Sequence, residues 1–411
     1  MTIVKVEKQR SYKLVIFSFF LLNLLNWVIF AETSYGIPII IKYVLSVFVL
    51  GTIVYYRLIN PLKPSPGKAF YPVILIYLLW SLMLLISAIL KFDNIFYLQR
   101  ILAQPFFFIP YCLPLFILYS EFNLEFIRYF FKFSLMLIFP AILIQLYIIL
   151  TGISTDNWFE QTNRIMIFDL GSSFLLLTAQ FSKKKYLFNI VLIYTLLMIY
   201  LFAHYGRRGV LIEYMILLTI MSIIRIKSSL LNFNDRLKIY FAALILIIMV
   251  LSFGYLARSS YAFQRGFTKG AFEESRGVAF ESFLYDFNSA SDWTFGRGLD
   301  GKVLQSSFQD QVFSDYIENG FLQVVLKGGL IYLLLFISIL LRACYLGFYK
   351  SNNDLVKAMA SLILMYVIIM SYFNVPAFTT KYIFIWISVV VCFTPSIRNF
   401  NNEEIYQAIN F

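Results

Sequence analysis

A single histidine, His204, and three cysteines, Cys112, Cys344 and Cys392, are spread through 411 residues. The cysteines sit in apolar stretches without ligand spacing, which excludes a zinc site or a disulfide framework, and one histidine leaves most catalytic metal centres without ligands. Charge is scarce as well: only 14% of residues are charged, and acids are outnumbered by bases, 22 to 34, for a net charge of +12. No Walker loop, zincin motif, nucleophile elbow, RNA-reading motif or basic helix is present, and there is no internal repeat or low-complexity tract. Gly296, Gly298 and Gly301 match the dinucleotide-binding spacing, but no strand-helix-strand unit surrounds them, so a nucleotide site is rejected.

Hydrophobic residues make up 60% of the chain, against roughly 45 to 50% in a soluble domain. A spanning helix takes roughly 20 apolar residues. Twelve apolar runs qualify: 14–31, 37–56, 71–90, 101–120, 129–151, 165–181, 186–204, 209–224, 239–256, 319–341, 356–373 and 380–395. The expected fold is therefore all-α: a polytopic integral membrane protein with about 12 transmembrane helices, residues 1–411 forming one transmembrane domain. The first run is too long for a signal-peptide core and reads as an uncleaved span. With the amino terminus inside, 20 of the 34 cations fall in the inner segments, among them Arg57, Lys63, Lys68, Arg128, Lys132, Arg342, Lys350, Lys357 and Arg398. That is the bias of cytoplasmic loops, and it places both termini in the cytoplasm. The positive charge is explained by this rule, without nucleic acid as a partner.

One connection is long. Residues 257–317, on the outer side between spans 9 and 10, carry thirteen aromatics, a composition that argues for folded structure, expected as short helices against the outer face. Eight arginines also lie on that side: Arg100, Arg164, Arg207, Arg208, Arg258, Arg265, Arg276 and Arg297. They read either as solvated charges paired with the acids of the long loop or as a cluster for an anionic substrate, since the planar guanidinium suits phosphate. The adjacent pair in His204-Tyr-Gly-Arg-Arg-Gly209 precedes a helix start, whose free amides would reinforce anion binding. His204 itself reads as a polar residue at a cavity rim. Lys42, Asp169, Glu213 and Lys327 fall inside spans, in their outer halves, where ionisable groups are either functional or snorkelling.

The most informative stretch runs from Ser314 to Tyr332, where the long loop enters the tenth span. Helical geometry puts Glu318, Leu322, Val325 and Gly329 on one face, and Gly328 and Gly329 permit close packing. Glu318, Asn319, Gly329 and Tyr332 have the spacing that resembles a motif of the bacterial O-antigen ligase and polymerase superfamily. Glu318 stands where the ligases have His, which favours the repeat-unit polymerases of the Wzy type. Phe295-Gly-Arg-Gly-Leu-Asp300 resembles the family's Phe-Gly-x-Gly turn, with Arg276 ahead of it, and Gly206-Arg-Arg-Gly209 its Ser-Arg-Gly segment.

The resemblance implies a glycosyltransferase that joins undecaprenyl-pyrophosphate-linked oligosaccharide repeats into O-antigen or capsular polysaccharide at the outer face of a bacterial inner membrane. It implies Glu318 as general base with Asp315 second, and Arg207, Arg208, Arg276 and Arg297 for the departing pyrophosphate. Trp293, Tyr316 and Asn319 would meet sugar, although the loop aromatics also read as interfacial anchors and Glu318 as an acid at a helix start. No metal or other cofactor is expected. The lipid-linked oligosaccharide and the bilayer are the expected partners, and a chain-length regulator is admitted. A lipid-linked oligosaccharide flippase and an O-antigen ligase are the competing readings.

Overall fold

The computed structural model describes residues 12–18, 21, 39–61, 64–91, 97, 101, 107–151, 177–181, 185–204, 208–227, 275–306, 311–317, 319–372 and 375–409. These are mostly helical. In chain order the helices are α1 (Ile39–Ile59), α2 (Tyr71–Leu90), α3 (Ile109–Ile117), α4 (Leu124–Thr151), α5 (Lys185–His204), α6 (Arg208–Lys227), α7 (Ser275–Asp286) and α8 (Ala290–Phe295). A hairpin of β1 (Val303–Ser306) and β2 (Gln311–Ser314) follows, then α9 (Gly320–Tyr349), α10 (Asp354–Met370), α11 (Thr380–Phe393), α12 (Pro395–Asn399) and α13 (Asn402–Ile409).

Seven helices, α1, α2, α5, α6, α9, α10 and α11, fall on predicted apolar runs, and the limits differ where caps and prolines intervene. α4 begins at Leu124 rather than 129, because Asn123 Oδ1 accepts the Phe126 amide at 2.9 Å and starts the helix through its charged first turns. α3 covers 9 residues of the run 101–120, with Pro110 in its first turn and Pro114 inside. The predicted run 239–256 lies outside the described residues, as do most of 14–31 and 165–181.

Among the described residues, α2 and α9 are long and apolar enough to cross a membrane. On α2, Tyr77, Ser81, Leu84, Leu85 and Ala88 are buried, while Leu75, Leu79, Leu82, Met83, Ile86 and Leu90 face outward. A helix at a water interface would carry polar side chains on that outer face. α9 shows the same asymmetry: Leu330, Leu334, Leu341 and Tyr345 form an exposed apolar column opposite its buried face.

The long loop departs from the expected short helices. α7 and α8 are helical, but the chain then pairs Val303 with Ser314 and Leu304 with Phe313 in an antiparallel register. Val303 is buried where Leu304 is only partly so, the alternation that a strand with one covered face requires. This hairpin is the one element of the described residues outside an all-helical fold.

The connections sort to two ends. Ser65 donates its amide to Phe393, Arg342 Nε donates to Pro66, Glu121 bonds Asn60 and Asn352 bonds Arg398. Residues 60–61, 64–67, 120–121, 342–352 and 393–398 thus gather together, and they include or adjoin cations that the charge rule assigns to one side. The opposite end joins Lys91 to Asp300, Asn319 to Ser371 and Lys381 to Glu213.

Asn353 fastens the first end. Its Oδ1 caps α10 by accepting the Val356 amide at 2.9 Å, and its Nδ2 donates to the carbonyls of Ile397 (2.8 Å) and Phe400 (3.1 Å). The side chain is fully buried, so truncation strands several polar groups. Asn353→Ala is expected to cost about 2–3 kcal/mol, read as a lowered thermal midpoint of the purified protein in detergent.

Candidate functional site

The site is organised by a break in α9. Gly329 takes φ 76°, ψ 179° inside the helix, a region open only to glycine, and the helical ladder is interrupted there. The turn that follows α8 plugs the break: the Arg297 amide donates to the Leu326 carbonyl at 2.7 Å and the Gly298 amide to Lys327 at 3.1 Å. Gly296 has φ 75°, and a Cβ placed on it would lie 2.6 Å from the Gly329 nitrogen, while one on Gly329 would strike the Thr294 carbonyl. Two backbones therefore meet with no room for a side chain on either. Lys327, 1% exposed, donates to the carbonyls of Leu299 (2.8 Å) and Gly301 (2.9 Å). The ionisable group expected inside a span is a fastener of the loop.

Arg297 stiffens the same turn. Nε and Nη2 reach Asp292 at 3.0 and 2.8 Å, and Nη1 reaches Asp286 at 2.6 Å. The remaining N–H groups serve the carbonyls of Lys302 (2.8 Å) and Asp286 (2.7 Å). All five donors have protein partners, and the guanidinium also lies 5.0 Å from the centre of the Phe287 ring. Partial burial works against its charge, but the hydrogen bonds and charges of Asp292 and Asp286 outweigh that and raise its proton affinity above the ordinary arginine value. Trp293 packs edge-on against Phe287 and Phe283, with centroids 5.3 and 5.9 Å away, and stays half-buried. Asp300, which the sequence reading left without a role, accepts from Tyr97 Oη at 2.5 Å and lies 3.9 Å from Lys91.

At the start of α9, Asn319 is the N-cap: its Oδ1 accepts the amides of Phe321 (3.0 Å) and Leu322 (3.1 Å), and its Nδ2 donates to Ser371 at 2.6 Å. Gln323, unnoticed in the sequence, accepts the Ile317 amide at 2.9 Å and donates to the Asp315 carbonyl at 3.2 Å. The segment that carries Asp315 and Tyr316, both half-buried, is thereby pinned over the first turn of α9. Glu318 lies outside the described residues, as do Arg207 and Asp169. Arg208 is the first residue of α6, and Arg276 the second of α7.

One turn past the break, Tyr332 closes over Gly328, whose Cβ would lie 2.6 Å from that ring. Its hydroxyl lies 3.0 Å from Ser81 Oγ and donates to Tyr77 at 3.2 Å, and the two tyrosine rings stack at 5.0 Å. This locks α9 to α2 beneath the loop. Glu213 of α6, which is buried, pairs with the partly buried Lys381 of α11 at 2.5 Å. Lys381 heads the apolar run 380–395, so its charge at the helix start was the available signal for this partner.

The structure thus seats the Gly296–Asp300 turn on the α9 break, about 15 Å along the helix from the cap at Asn319, and commits Arg297, Asn319 and Lys327 to protein contacts. Among the described residues no group of three or more metal-ligating side chains occurs. Compared with family models, curated proteins and solved structures, the chain gives no match.

The interlocked glycines make a graded test. Gly296→Ala and Gly329→Ala meet backbone atoms and are expected to cost about 3 kcal/mol or more. Gly298, also at positive φ but with open space around its Cβ, is expected to cost about 1–2 kcal/mol. Thermal unfolding and limited proteolysis of the loop in the three variants check this order.

Proposed function

We propose that this chain is a multi-pass repeat-unit polymerase of a bacterial cytoplasmic membrane, with about twelve spans and both termini in the cytoplasm. Its substrate is an oligosaccharide on undecaprenyl pyrophosphate, and it passes the growing chain to the incoming lipid-linked unit at the outer face. The observation that carries the reading is the convergence of segments far apart in sequence: the Phe295–Asp300 turn seats on the Gly328–Gly329 break while Asn319 caps the same helix. A rigid platform seated on one helix, with a carboxylate-bearing segment entering at that helix's start, is what a transfer between two lipid-anchored sugars needs.

In this mechanism the terminal sugar hydroxyl of the incoming unit attacks the anomeric carbon of the growing chain. The new glycosidic bond forms as the bond to pyrophosphate breaks, and the hydroxyl proton passes to Glu318, with Asp315 as the second candidate. Negative charge gathers on the leaving pyrophosphate, and Arg207, Arg208 and Arg276 are the side chains assigned to it. Arg297, with its donors spent on Asp286 and Asp292, acts by holding the loop. Trp293 and Tyr316 keep exposed surface for sugar contact.

Deletion of the gene is expected to remove long chains from a glycolipid or capsule gel while a single-repeat species survives, and the intact gene restores them. Loss of the single-repeat species as well would move the assignment to a flippase or a ligase, with carrier-bound polymer accumulating in the ligase case. Within the polymerase, Glu318→Gln is expected to lower chain extension about 100-fold or more. Normal extension in that variant with loss in Asp315→Asn transfers the base role to Asp315. Arg207→Ala and Arg208→Ala are expected to weaken donor use with the protein still in the membrane, measured as the donor concentration for half-maximal extension.

A further inference from the structure

At the end opposite the candidate site, two arginines lack the closed partnerships seen elsewhere. Arg342, just beyond the apolar stretch of α9, donates Nε to Pro66 at 2.8 Å, and its guanidinium lies 5.8 Å from the Phe70 ring and 5.2 Å from Tyr345. Arg398 of α12 donates Nη1 to Lys350 at 3.3 Å, and its buried Nε has no hydrogen-bond partner among the described residues. Neither forms an ion pair there. Acids on neighbouring helices are engaged or exposed: Asp354 holds Lys357 at 3.3 Å and Asn402 at 2.9 Å, Glu404 accepts the Asn401 amide at 2.8 Å, and Glu403 faces outward. Burial lowers the proton affinity of Arg398 below the ordinary value, with Cys392 opposing the shift and the Arg342 charge adding to it.

We infer that Arg342 and Arg398, with the exposed Lys68 and Lys350 beside them, hold the phosphate of an anionic phospholipid headgroup in the cytoplasmic leaflet. The leaflet assignment rests on the orientation proposed above. Guanidinium forks match a phosphate's oxygens, and basic pockets at the cytoplasmic ends of membrane helices meet a surface rich in anionic lipid. A whole lipid, rather than free phosphate, fits because the exposed column Leu330, Leu334, Leu341 and Tyr345 runs up α9 beside Arg342. Acyl chains would cover that column. Tyr345 and Tyr349, exposed and 5.4 Å apart, sit where such rings mark headgroup depth.

The test is native mass spectrometry of the full-length protein released from bilayers of phosphatidylglycerol and phosphatidylcholine. The wild type is expected to retain phosphatidylglycerol about tenfold over phosphatidylcholine, R398Q to lose most of that preference, and R398K to recover part of it. R342K, which keeps a charge but loses the fork, is expected to fall between. Equal retention of the two lipids, an unchanged preference in both R398Q and R342K, or inorganic phosphate displacing the lipid at stoichiometric concentration would overturn the inference. Lipid retention is read without any polymer assay, so it stands or falls apart from the polymerase proposal. One-sided labelling of a K350C variant in sealed cells tests the leaflet by itself.

Discussion

A helix that breaks inside a packed, low-dielectric environment has backbone groups that need partners, because an unpaired buried carbonyl or amide costs about 1–3 kcal/mol. In α9 that demand is met by a loop. The amides of Arg297 and Gly298 serve Leu326 and Lys327, and Lys327 in turn serves the carbonyls of Leu299 and Gly301. The exchange is reciprocal, so neither the break nor the turn is satisfied without the other. Everything at this end hangs from it: the ion pairs of Arg297, the aromatic packing of Trp293 and the course of the chain into the hairpin.

Charge is handled in the same closed manner. Taking an ion out of water costs several kcal/mol, recovered only by good partners. Lys327 has two carbonyls, Glu213 has Lys381, and Arg297 has two carboxylates and two carbonyls. These pairs cross-link elements remote in sequence, α6 to α11 and the loop to α9. They act as position-holders whose failure would leave an uncompensated charge, and that makes the arrangement discrete rather than compliant.

Helices were legible in the sequence to the extent that apolar runs define them. Runs at 71–90 and 380–395 match α2 and α11 closely, because a continuous apolar stretch leaves few alternatives to a helix. The extension of α4 to Leu124 depended on the Asn123 side chain, a local cap hidden by the charges of Glu125 and Arg128. The hairpin was missed because four-residue strands carry too short a pattern to separate from a helical turn. At the site, glycine spacing pointed to close approach but not to which backbones meet; Gly296 meeting Gly329 is a long-range fact. Arg297 illustrates the hardest case. An outer arginine reads alike as an anion binder and as an internal clip, and only the positions of Asp286 and Asp292 decide how its donors are used.

That use has a consequence for where an anion can bind. A guanidinium whose five donors are filled must give up two carboxylates before it accepts a phosphate, and a hydrogen bond to a charged group is worth about 1.5–3 kcal/mol. Lys327 and Lys381 are bound by similar commitments. Transition-state charge is best met by groups that need no rearrangement. Any cation offered to an anion at this end therefore comes from outside the closed network, and Arg208, the first residue of α6, stands where a helix dipole and free amides add to its charge. The closed network is thus a fixed frame whose cations are already spent, and an anion at this end would have to be met by groups outside it.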